Sequence, residues 1–125
     1  MGARWTAEQL SALGASTELE IAVQRDDGTL RAWTPIWVVC AGDDVFVRSW
    51  HRRDTGWFGH AVTARRARVR VAGLEADVVI DDVGGASDGL TSSIDAAYRP
   101  KYGDGGAGSM VTPAAAATTL RLDPA

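Results

Sequence analysis

The stretch VFVRSWHRRDTGWFGHAV, residues 45 to 62, holds two Trp, three Arg and both His of the chain. Guanidinium groups receive phosphate or carboxylate through charge-assisted hydrogen bonds, and indoles offer flat apolar faces to a heteroaromatic ring. Arg48 and Ser49 stand where an apolar strand runs out, so a cation, a hydroxyl and the amides of a loop meet there. The combination suits a flat, anionic ligand. Arg48 and Ser49 would grip a phosphate and Arg52 and Arg53 would add charge, while Trp57 and Trp37, the latter from the neighbouring strand, would flank a ring. The plainer reading of the same residues is a Trp that plugs the core and an Arg at a strand end paired with one of the sixteen carboxylates.

A second cluster is YRPKYG, residues 98 to 103, with two Tyr, Arg99 and the only lysine, Lys101. It reads either as an arm that brings Lys101 and a phenol to the pocket, or as a helix terminus whose cations answer the carbonyl dipole. His60 and Tyr102 are the candidates for contact with a substrate, His60 because imidazole exchanges protons near neutral pH. His51 and His60 are nine apart with no third His. A catalytic zinc or iron site needs about three well-placed ligands, so no metal is expected. GDGGAG at 103 to 108 lacks the Lys-Ser or Lys-Thr of a phosphate loop and is expected to be a mobile loop. Cys40, alone in the apolar run IWVVCA, reads as a small core residue, and one cysteine allows no disulfide within the chain.

These residues need a scaffold. At 125 residues, one domain spanning 1–125 is expected. The 46% hydrophobic and 23% charged content is that of a soluble globular protein. No apolar run approaches the roughly 20 residues of a membrane helix, and the N-terminus lacks the pattern of a signal peptide, so the cytoplasm is the expected location. A net charge of -3 argues against nucleic acid and anionic membranes as partners and leaves a small-molecule substrate.

Thr6 and Gln9 have capping-box spacing ahead of Leu10 and Leu13, which predicts a short helix ending near Gly14. ELEIAVQR alternates as a half-buried strand, and DDG at 26 to 28 turns it into a predicted partner strand, TLRAW. TPIWVVCA is a third strand. GDD at 42 to 44 turns it into a fourth, VFVRSW, with Val45, Val47 and Ser49 on one face and Phe46, Arg48 and Trp50 on the other. WFGHAVTAR predicts a two-turn helical connector, RARVRVA and LEADVVIDDV two strands around Gly73, and LTSSIDAAYR a helix capped by Asp88 and ended or kinked near Arg99 by Pro100. TPAAAA is a single helical turn and TTLRLDP a last strand. Six or seven short, mostly antiparallel strands with two or three helices escape open edges by curling, which predicts a mainly β fold, a small barrel with peripheral helices.

TPIWVV, VFVRS, the Trp57-Phe58 pair, IDAAYRPKYG and TTLRLDP, in that order from about residue 5 to residue 124, resemble the DUF2255 family of bacterial proteins of unknown function. That family is grouped with the flavin-binding split β-barrels, which include pyridoxamine-phosphate oxidase-like proteins and deazaflavin-dependent nitroreductases. The resemblance implies a split barrel, a homodimer, and FMN or a deazaflavin held near the subunit interface. It places the phosphate grip on Arg48, Ser49 and the basic residues after them, and the arm carrying Lys101 is expected to reach the same cofactor. The function expected is a small flavin-dependent oxidoreductase. The alternatives are a cofactor-free small-molecule-binding barrel serving a biosynthetic pathway as cyclase, isomerase or carrier, and a non-catalytic dimeric interaction protein.

Overall fold

A computed structural model describes residues 4–49, 56–84, 88–107 and 112–125. The elements are α1 (Ala7–Ala15), β1 (Glu18–Val23), β2 (Thr34–Trp37), β3 (Val39–Ala41), β4 (Asp44–Val47), α2 (Gly56–Ala64), β5 (Arg66–Val71), β6 (Leu74–Asp82), α3 (Asp88–Ala107), α4 (Pro113–Ala116) and β7 (Leu120–Pro124). The seven strands are antiparallel and run in the order β2-β1-β5-β6-β7-β4-β3. The two ends of that order, β2 and β3, are consecutive in the chain and separated only by Val38. The sheet therefore comes round on itself as a nearly closed barrel, with three helices and the single turn of α4 outside. Among the described residues no helix is long and apolar enough to cross a membrane.

Alternation decides which side chains fill the barrel. Leu19, Ile21 and Val23 of β1, Val45 and Val47 of β4, Val69 of β5, Val78 and Ile80 of β6, and Leu120 and Leu122 of β7 form one buried cluster. Trp5 and Leu13 from the α1 region and Phe58 and Ala61 from α2 join it. Each such aliphatic or aromatic side chain contributes about 1.5–3 kcal/mol by leaving water. Trp5 also donates from its indole Nε1 to the Leu122 carbonyl at 2.8 Å, which ties the N-terminal segment to the last strand. The opposite face of β3 and β4 is covered as well: Val39 and Phe46 pack against Ile94 and Tyr98 of α3.

The capping box forms as its spacing predicts, with Gln9 N donating to Thr6 Oγ1 and Thr6 N to Gln9 Oε1. Gly42, at φ +62, opens the two-residue loop between β3 and β4, a position where hairpin loops require left-handed backbone.

Three expectations are corrected. TLRAW is not a partner strand. Beyond one isolated bridge, Gln24 to Leu30, the chain crosses irregularly until Thr34, and β2 is what pairs with β1. TPIWVVCA is not one strand, because its first half pairs with β1 and Val39–Ala41 pairs with β4, with a break between. α3 does not end at Arg99. It continues past Pro100 and is interrupted at Gly103, where φ 73 and ψ 163 are non-helical, and helical backbone then resumes where GDGGAG predicts a loop.

Candidate functional site

The irregular connection after β1 is held by local hydrogen bonds that aim two arginines. Asp27 accepts from Thr29 N at 3.0 Å and from Thr29 Oγ1 at 2.6 Å. These bonds hold the Asp27 carboxyl below the usual carboxylate range, and nearby Arg25 adds a smaller push in the same direction. Arg25 donates to the Leu30 carbonyl at 2.7 Å, and Arg31 N donates back to Val23 O at 2.9 Å. Both guanidinium stems thus start from backbone fixed against the end of β1.

Opposite them lies α2. Phe58 and Ala61, three apart, enter the barrel. Trp57 and His60, also three apart, share the adjacent stripe of the helix. Between α2, β1 and the connection is a cavity of about 320 Å³, with Ile21 and Val23 as its floor, Trp57 as a wall, and Arg25, Arg31, Thr34 and His60 as polar groups. Among the described residues no carboxylate lines it. The contrast with other arginines is sharp, since Arg68 pairs with Glu75 and Asp77, Arg70 with Glu20, and Arg121 with Asp81 and Asp123. Arg31 Nε is shut off from solvent and has no hydrogen-bond partner. A buried donor left without an acceptor costs about 1–3 kcal/mol, which an oxygen brought against this nitrogen would recover.

Arg48 is used differently. It is 1% exposed, donates through Nε to Thr119 Oγ1 at 2.8 Å and through an Nη to Asp95 Oδ1 at 2.5 Å, and its guanidinium lies 5.5 Å from the Tyr98 ring centre. The plainer alternative, an arginine paired with a carboxylate, describes this geometry. Ser49 is buried beside it, and its amide donates to Thr118 Oγ1 at 2.9 Å, stitching the end of β4 to the segment after α4.

Trp37, Lys101 and Tyr102 meet at the break between β2 and β3. The rings of Trp37 and Tyr102 stack with centres 4.1 Å apart and planes 3° from parallel. Tyr102 Oη accepts from Val38 N at 3.1 Å and donates to Thr17 O at 2.7 Å, and Lys101 Nζ donates to Val38 O at 2.6 Å. Val38 leaves both ladders, and these two side chains satisfy the amide and carbonyl that the ladders abandon. Burial lowers the Lys101 pKa and raises those of Tyr102 and of Cys40, which sits nearby with its thiol on Leu10 O.

The residues predicted from sequence therefore fall in three places. Trp57 and His60 come together at the cavity, Arg48 and Ser49 at the end of β4, and Trp37, Lys101 and Tyr102 at Val38. Arg52 and Arg53 lie outside the described residues. Arg25, Arg31 and Thr34 were not anticipated. The available signal was two arginines six apart across a DDG turn, a spacing that returns the chain to the same side.

The model of a family described as an uncharacterized protein conserved in bacteria, DUF2255, matches residues 9–122. Among solved structures, the fold is similar to that of the conserved hypothetical protein Rv2991 from Mycobacterium tuberculosis. The TM-score is 0.65 at 9% identity, and the match covers 99% of this chain and 81% of that one. At that identity the likeness speaks for the fold alone. No curated protein matches the chain.

Proposed function

The chain belongs to the DUF2255 family, which carries no characterised activity, and from that starting point we propose that this barrel is a small-molecule-binding protein that holds a flavin nucleotide, FMN or a deazaflavin, and acts as a small oxidoreductase. The observation that supports it is the cavity in which Trp57 and His60 meet two guanidinium groups with no acidic group among its described lining residues. A flavin nucleotide presents a flat heteroaromatic ring and a phosphate. Trp57 suits the first, and Arg25 and Arg31 suit the second. Arg48 is set apart from this cavity in the reading, because it is not among the lining residues and two of its donors are directed at Asp95 and Thr119. The volume, about 320 Å³, stands at the lower end of the roughly 300–1,000 Å³ of small-molecule sites, so a nucleotide would extend into the open groove.

Such a cofactor would supply hydride transfer, and the protein would supply orientation and electrostatics. Arg25 and Arg31 would fix the anionic end, the Trp57 indole would hold the ring against the apolar floor, and His60, exposed at the rim, would exchange a proton with the substrate. The assembly in this reading is a homodimer, which light scattering on the purified protein tests. The functional test is titration with FMN and with a deazaflavin while following tryptophan emission, in the wild type and in Trp57→Phe. Quenching that weakens in the variant is expected. Unchanged emission at high micromolar concentrations of both cofactors would remove the reading.

A second reading, a cofactor-free binding barrel, is favoured by one specific arrangement. The cation and the indole nearest α3, Arg48 and Trp37, are engaged by Asp95 and by the face of Tyr102. Specific binding of small acids in the absence of any flavin affinity would select it.

A further inference from the structure

We infer that the Arg31 end of the cavity is a carboxylate-binding subsite and that the barrel takes an aromatic acid of one or two rings, its carboxylate on the Arg31 guanidinium and its ring against Trp57. The inference rests on the proposal that this cavity binds ligands, but not on the ligand being a flavin.

Charge and geometry carry it. Arg31 brings a positive charge to a cavity whose described lining has no carboxylate, and it makes no ion pair with the described residues. Its Nε is buried without an acceptor. An arginine recognises a carboxylate through two parallel hydrogen bonds, and the edge formed by Nε and an Nη is one of the forks that match it. A monoanion needs one such fork, and the Arg31 side chain that offers it starts from an amide anchored to Val23 O at 2.9 Å. A carboxylate can be received on that one fork without a second contacting cation. Arg25, the second cation, already commits hydrogen bonds to Leu30 O and Thr29 Oγ1 and lies near Asp27, so it lends field more than contact.

Size and shape narrow the class further. About 320 Å³ with Ile21 and Val23 beneath and an indole at the side suits a flat apolar body of one or two rings. Thr34 adds one hydroxyl to the lining, and His60 sits at the rim where a ring substituent would emerge.

The test is isothermal titration calorimetry with four probes: benzoate, 2-naphthoate, the neutral isostere 2-naphthamide, and FMN. Naphthoate is expected to bind more tightly than benzoate, and the amide at least about tenfold more weakly than the acid, the loss expected when a charge-assisted pair is removed. Arg31→Gln should reproduce that loss with the acid while leaving the far-ultraviolet circular dichroism unchanged. Equal affinity for acid and amide overturns the inference even if Arg31→Gln does not fold, and so does undiminished naphthoate binding by a folded Arg31→Gln. Heat from FMN but none from either acid overturns the subsite and leaves the flavin reading standing. Acid binding without FMN binding does the reverse, and no binding of any probe removes both.

Discussion

Arg48 and Arg31 carry the same side chain and the barrel treats them in opposite ways. Arg48, deep beneath α3, has its charge answered by Asp95, whereas Arg31 lines a cavity to which no described residue brings a carboxylate. The sequence could not separate them, because the residue that engages Arg48 is 47 positions away and comes close only when α3 packs on β4. Arg31 escaped notice because TLRAW read as a strand, which would have sent alternate side chains to opposite faces and hidden the cavity. Tyr98 lends itself to a test at this scale. Its hydroxyl is buried beside the Arg48 backbone without a well-formed hydrogen bond, and burial raises its pKa well above the ordinary value near 10. Below pH 10 both folded and unfolded chains keep the phenol protonated. Above it the unfolded chain ionises first and binds fewer protons, so stability falls as pH rises from about 10. Cys40 and Tyr102, also raised, act in the same direction, and Lys101, lowered, opposes them up to its ordinary value of 10.5. Urea denaturation of Tyr98→Phe at pH 7 is expected to lie within about 1 kcal/mol of wild type, since at most a poorly formed hydrogen bond to the Arg48 backbone is lost, and its alkaline decline should be shallower.

At the scale of elements, what was legible is what depends on neighbours in sequence. The Thr6 and Gln9 box, the alternation of RARVRVA and the tight turns at Gly42 and Gly73 all formed as read. What was not legible depends on distant partners. Val38 breaks a strand of continuous apolar residues with no glycine or proline to announce it, because the cause is a change of pairing partner from β1 to β4. Pro100 sits within a helix that tertiary packing of Ile94, Tyr98 and Tyr102 carries past it. Two helix boundaries offer paired tests of opposite sign. Arg65, just after α2, holds φ +61 while its amide donates to Ala61 O, a left-handed helix-ending position that costs a non-glycine residue about 1 kcal/mol. Arg65→Gly is therefore expected to raise the melting temperature. Gly103, at φ +73 with open space around its Cα, should lose about 1 kcal/mol as Gly103→Ala, from backbone conformation alone.

For the whole molecule, the hydrogen-bond order predicts where the barrel is firm. β5 and β6 pair over six residues and β6 and β7 over five, while β2 and β3 each pair on one side only. Native-state hydrogen exchange should find the slowest amides in β1, β5, β6 and β7 and the fastest strand amides in β2 and β3. Uniform protection across all seven strands would contradict the open seam. The nearly closed barrel itself was readable from strand count and turn spacing, but its manner of closure was not. Two side chains, Lys101 and Tyr102, do the work of a ladder at Val38. The ring is thus fastened by a latch borrowed from a helix, and under heat or mechanical load it should unbuckle at that joint, swinging on one residue, before any of its long rungs give way.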